Sequence, residues 1–143
     1  MAGPQTQTLE FPSRLSEVPP AQHAIVEAAR AAGFDDKSLF AIRLALDEAL
    51  TNAVRHGNGS DPTKHVTVTY AADAERITIT VEDQGPGFAP ADLPDPTAEE
   101  NLDRPHGRGV MLMRAYMTEV TYNDRGNRVT LTKARDCPLP RED

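Results

Sequence analysis

Glu48 and Asn52 stand four residues apart in a stretch, 39–56, whose apolar residues recur at helical spacing. Residues four apart on a helix lie one above the other, so the Glu48 carboxylate and the Asn52 carboxamide project together, with His56 one step further along. One anionic oxygen and one neutral oxygen then share a stripe. A carboxylate there can act as a general base. A carboxamide oxygen can ligate a hard cation such as Mg²⁺, which keeps several waters and takes its other oxygens from a substrate. On spacing alone, an ordinary amphipathic helix with a solvated polar flank is the favoured explanation, and only the later motifs reverse that preference.

The second cluster is Asp83-Gln84-Gly85-Pro86-Gly87 and the third is Gly107-Arg108-Gly109. An Asp with a Gly two residues on is ordinary turn chemistry, yet glycines also let a backbone approach a ligand closely and adopt positive φ. Gly107 and Gly109 either loosen a helix start or expose N–H groups that form an anion site, with Arg108 adding a charge there or pointing into solvent. Neither cluster contains GxxxxGK[ST], and the third lacks the last glycine of a dinucleotide fingerprint. P-loop and Rossmann chemistry are thereby excluded.

The elements that position these residues follow from pattern. Residues 6–11 read as a first strand, after which Pro12, Pro19 and Pro20 interrupt the chain before an Ala-rich helix over about 21–32. Ile25, Ala28, Ala29 and Ala32 share one face of it and Gly33 ends it. Asp35 or Asp36 caps the second helix, whose buried side is Leu39, Ile42, Leu46, Ala49, Leu50 and Ala53. Glu48 and Asn52 fall at the edge of that stripe, where a cleft can open. Gly57-Asn58-Gly59 and Pro62 break the helix.

Val66, Val68 and Tyr70, then Ile77, Ile79 and Val81 beyond a turn at 72–75, alternate with polar residues as an antiparallel hairpin does. Residues 88–106 carry Pro90, Pro94, Pro96 and Pro105 among Asp92, Asp95, Glu99, Glu100 and Asp103, a composition and length typical of a mobile lid. A third helix over 110–117 follows Gly107-Arg108-Gly109, with Met111, Leu112, Met113 and Met117 as core or lid contacts. The chain closes with a hairpin of 119–122 and 128–133 around 124–127. The expected fold is an α+β two-layer sandwich, a mixed, mainly antiparallel sheet covered on one face by three helices. Residues 1–135 form one domain and 136–143 a disordered tail.

A chain of 143 residues, 38% apolar and 26% charged, with no Trp, three Tyr and four Phe, supports one core built on aliphatic side chains. Its net charge of −7 opposes phosphate backbones, and no Lys/Arg stripe or aromatic platform offsets it, which argues against direct nucleic-acid binding. No run approaches the roughly 20 apolar residues of a membrane helix, and residues 1–10 lack a basic segment followed by an apolar one, so no membrane association and a cytoplasmic location are expected. The single Cys137 has no partner for a disulfide or a metal cluster. His23, His56, His65 and His106 show no zinc-ligand spacing.

In order, the chain reads Leu44-Ala-Leu-Asp-Glu48-Ala-Leu-Thr-Asn52-Ala-Val-Arg-His56-Gly57, then Asp83-Gln-Gly85-Pro-Gly87-Phe88, then Gly107-Arg-Gly109-Val-Met-Leu. This succession resembles the N, G1 and G2 boxes of the GHKL (Bergerat-fold) ATPases. Within that group the small size and the wording of the first box look most like the anti-sigma-factor serine kinases, over about residues 9–134. The resemblance implies ATP and Mg²⁺ as cofactors, with Asn52 on the metal and Glu48 as base toward a serine hydroxyl. It implies that the Asp83 carboxylate accepts from the adenine amine, that Gly85 and Gly87 admit the base, and that Gly107, Arg108 and Gly109 meet the phosphates.

It further implies a sigma factor and a STAS-like anti-anti-sigma protein as partners, and a homodimer. In ATPases of the group the equivalent carboxylate activates water. The alternative is a non-catalytic ATP-sensing interaction module of the same fold, which would keep every motif. A stand-alone histidine-kinase catalytic domain would need a phosphoacceptor His on a dimerisation helix pair, and none of the four histidines lies in such a context.

Overall fold

Period-two alternation puts Val66, Val68 and Tyr70 on one side of strand β2 (His65–Ala72) and Ile77, Ile79 and Val81 on one side of β3 (Arg76–Glu82), and all six are buried. The computed structural model describes residues 6–85, 117–123 and 126–134. Within them three further strands, β1 (Gln7–Pro12), β4 (Glu119–Tyr122) and β5 (Arg128–Ala134), complete a sheet of order β1-β2-β3-β5-β4. Every pairing among the described residues is antiparallel, where a mixed, mainly antiparallel sheet was expected. The connection explains the β1–β2 pair. Two helices between β1 and β2 carry the chain away and back, so β2 starts from the end at which β1 finished and runs the opposite way.

The register lines up one transverse row on the outer face, Thr8, Thr69, Thr80, Thr130 and Thr121, one residue from each strand. Threonine suits this surface because its branched Cβ packs on a pleat while its hydroxyl faces water. The Thr80 and Thr130 hydroxyls lie 3.3 Å apart.

Helix α1 (Val18–Ala31) begins three residues before the expected 21, with Pro19 and Pro20 inside its first turn. They do not interrupt it because first-turn N–H groups have no helical acceptor, and the proline ring already holds a helical φ. At the other end Gly33 takes φ of 100°, its N–H bonds the Arg30 carbonyl at 3.0 Å and the Phe34 N–H bonds that of Ala29 at 3.2 Å. This is a Schellman closure, with Phe34 as its buried apolar anchor.

Helix α2 (Asp36–Asn52) is capped by Asp35, whose Oδ1 accepts the Ser38 N–H at 2.9 Å. Backbone and hydroxyl hydrogen bonds from Ser38 hold the Asp35 carboxyl below its usual range, with smaller help from the charges of Lys37 and Lys133. The helix expected over 39–56 thus starts earlier, and after Asn52 it widens into a π-turn, Ala53–Gly57. Leu39, Ile42, Leu46, Ala49, Leu50 and Ala53 are buried against the sheet. The helix expected over 110–117 lies outside the described residues except Met117, whose side chain is in the core. No helix of the described residues is long and apolar enough to cross a membrane.

Candidate functional site

Helix α2 presents Glu48 and Asn52 half-buried, beside Ala49 and Leu50, which lie in the core. The apolar stripe anchors the helix and its edge leaves these two side chains at the boundary with solvent. Burial, and then the charge of the neighbouring Asp47, push the Glu48 carboxyl above its usual range. Such a shift makes a carboxylate a stronger base near neutral pH.

Past Asn52 the π-turn adds a residue to the winding, and the Asn58 N–H reaches back five residues to the Ala53 carbonyl at 2.9 Å. That turn delivers Gly57 against Asp83, the residue immediately after β3. A Cβ built on Gly57 would overlap the Asp83 carboxylate, and one built on Gly85 would overlap the Gly57 carbonyl. The two glycines are therefore required by close approach: the π-turn that ends α2 and the loop after β3 touch backbone to backbone, around a half-buried carboxylate. Asp83 Oδ1 also accepts the Gly85 N–H at 2.9 Å, closing the loop on itself.

Glu48 and Asn52 thus belong to the helix whose end adjoins Asp83 and Gly85. Gly87, Gly107, Arg108 and Gly109 lie outside the described residues, as do Phe88, His106, the expected lid over 88–106 and Cys137. His56 is exposed at the end of the π-turn.

Sequence reasoning missed the polar residues that hold this loop, Asn58 and Asn127, and those that brace them in turn, Ser13 and Asn123. Asn58 was visible only as part of a helix breaker, and Asn127 only as a turn residue. Asn123 Oδ1 accepts from the N–H groups of Gly126, Asn127 and Arg128 at 2.8, 3.1 and 3.2 Å, which shapes the β4–β5 turn. The signal that could have found them is a pair of asparagines in turns that adjoin a glycine loop, since Asn both bonds backbone and tolerates turn conformations.

A family model described as "Histidine kinase-like ATPase domain" matches residues 11–133. Among curated proteins, the serine-protein kinase RsbW of Listeria monocytogenes serovar 1/2a is 26% identical over 136 residues, covering 88% of this chain and 85% of its own length. An anti-sigma F factor of Clostridium perfringens is 33% identical over 98 residues, covering 64% and 69%. Among solved structures, that of the RsbU and RsbW domains of Rv1364c from Mycobacterium tuberculosis shares the fold, with a TM-score of 0.59 at 17% identity over 92% of this chain. The chain spans 32% of that longer protein. With three glycine-bearing motifs in the order of that group and a family match across most of its length, the chain belongs to the histidine kinase-like (GHKL) ATPase domain family.

Proposed function

We propose that the chain is an ATP-dependent protein serine/threonine kinase acting as an anti-sigma factor, which holds a sigma factor and phosphorylates a serine of a small anti-anti-sigma antagonist. The observation that carries this is the meeting of Gly57 with Asp83, because it joins the end of the helix bearing Glu48 and Asn52 to the loop bearing a half-buried carboxylate. Family membership supports ATP as the nucleotide. The relatives' names, serine-protein kinase and anti-sigma F factor, support the reaction and the class of partner.

The residues fit the groups. A carboxylate can accept a hydrogen bond from the adenine amine and not from the oxygen that guanine carries there, and the missing Cβ of Gly57 leaves the Asp83 carboxylate its place beside the helix end. The Asn52 carboxamide oxygen suits Mg²⁺, which when bound neutralises phosphate charge and orients the transferred group. Glu48 would take the proton of the antagonist's serine hydroxyl as that oxygen bonds the terminal phosphorus, with the bond from that phosphorus to the bridging oxygen breaking and ADP leaving. Asp83 would hold the base end, and Glu48 and Asn52 the phosphate end, of one site. The phosphoserine then carries added negative charge and is repelled by a chain of net charge −7. A homodimer and a single domain over 1–135 are part of the same proposal.

Incubation with Mg²⁺, labelled ATP and the small antagonist-like proteins of the same cell, followed by mapping of phosphoserine, tests it. Transfer that Glu48→Ala abolishes while ATP still binds is the expected result. ATP binding with no transfer to any candidate antagonist would favour a nucleotide-sensing module, and failure to bind ATP would overturn both.

A further inference from the structure

Two buried asparagines grip the backbone on either side of the candidate purine reader. Asn58, 2% exposed, uses its whole carboxamide: Nδ2 donates to Ser13 Oγ at 2.8 Å and to the His65 carbonyl at 3.0 Å, and Oδ1 accepts the Gln84 N–H at 2.7 Å. Ser13 Oγ in turn donates to the Lys64 carbonyl at 2.7 Å. Asn127, 9% exposed, completes the grip: its carbonyl accepts the Asp83 N–H at 2.9 Å and its Nδ2 donates to the Asp83 carbonyl at 3.2 Å. The peptide planes before and after Asp83 are thereby both fixed, and with them the direction of its Cα–Cβ bond. The Asn58 N–H, bonded to the Ala53 carbonyl at 2.9 Å, ties the same grip to the residue after Asn52.

We propose that Asn58 is a positioning residue for purine selection: it aims the Asp83 carboxylate and holds the base end of the site in register with the helix that carries Asn52. The assignment rests on Asp83 as the amine acceptor described under Proposed function. A carboxylate separates an amine from a carbonyl oxygen only while its direction is fixed; released by an ångström, it turns to water and the discrimination decays. A carboxamide serves here because one group must donate to two acceptors and accept from an N–H at once, which a hydroxyl or carboxylate of that size does not do.

The test is calorimetric binding of ATP and inosine triphosphate, whose base carries oxygen in place of the amine, with Mg²⁺, to the full chain and to Asn58→Ala. The unmodified protein is expected to prefer ATP, and Asn58→Ala to lose about tenfold or more in ATP affinity with inosine triphosphate binding unchanged, the scale of one well-aimed hydrogen bond. A folded Asn58→Ala that keeps the preference, or loses both affinities in parallel, overturns the proposal and leaves Asn58 as a structural residue. An unmodified protein that binds both nucleotides alike overturns the Asp83 assignment itself, which separates the two failures. Should Asn58→Ala not fold, Ser13→Ala removes one acceptor from Nδ2 and is expected to shift the preference the same way by less; an unshifted preference counts against the proposal. Hydrogen exchange on the unmodified protein adds an independent reading: a protected Gln84 amide supports the grip and one exchanging at the unstructured rate overturns it.

Discussion

At the scale of single residues, the consequential one is Glu48. Its carboxyl is raised by burial first and by Asp47 second, so the native state binds that proton more tightly than the unfolded chain does. A group of this sign weakens the native state as pH rises from its unfolded to its native value, and the penalty is fully present above that window. Glu48→Gln removes the charge without the shape. It is expected to melt higher than the unmodified protein at neutral pH, with the two converging below the usual carboxylate range, as thermal unfolding across pH will read. The same substitution is expected to cost about 10²–10⁴-fold in phosphotransfer, the usual worth of a general base, with ATP affinity retained. Gly57→Ala tests the close approach: its Cβ must displace the Asp83 carboxylate, and ATP affinity is expected to fall about tenfold or more in calorimetry, the size of one lost well-aimed hydrogen bond.

At the scale of elements, helix ends decide where side chains arrive. The Schellman closure needs positive φ at Gly33, so Gly33→Ala is expected to cost about 1 kcal/mol in urea unfolding without altering nucleotide affinity. Much of this was legible in pattern: the Gly33 stop, a cap at Asp35 or Asp36, which the structure resolves to Asp35, and the alternation of β2 and β3 all follow from short-range sterics and hydrogen bonding. The prolines misled at the α1 start because a first-turn proline and a helix-breaking proline look the same until the helix direction is known. The π-turn at Ala53–Gly57 had no signature, since its extra residue is set by what Gly57 must pack against.

At the scale of the whole molecule, among the described residues, two helices bury one face of a five-stranded sheet and leave a row of threonines on the other. Leu46 is fully buried in the middle of α2, and Leu46→Ala is expected to destabilise by about 2–5 kcal/mol, depending on how far the cavity collapses, as measured by denaturant unfolding. A nucleotide that binds only the folded chain stabilises it by mass action, about 2.7 kcal/mol at a hundred times Kd. Mg²⁺ with ATP is therefore expected to raise the melting temperature, and Asp83→Asn, which offers an amide N–H or a weaker acceptor in place of the carboxylate, to shrink that shift.

The chain's order of residues determined α1, α2, the hairpins and which side chains are candidates for chemistry, because these depend on neighbours within a few positions: Glu48 with Asn52 across one turn, Asp83 with Gly85 across one loop. Tertiary structure alone decided that Gly57 abuts Asp83, 26 positions on, and that Asn58 and Asn127 converge from either side on the bonds of one loop. Those contacts join elements with no local pattern in common, and they exist only once burial of the aliphatic core has brought the end of α2 beside the end of β3.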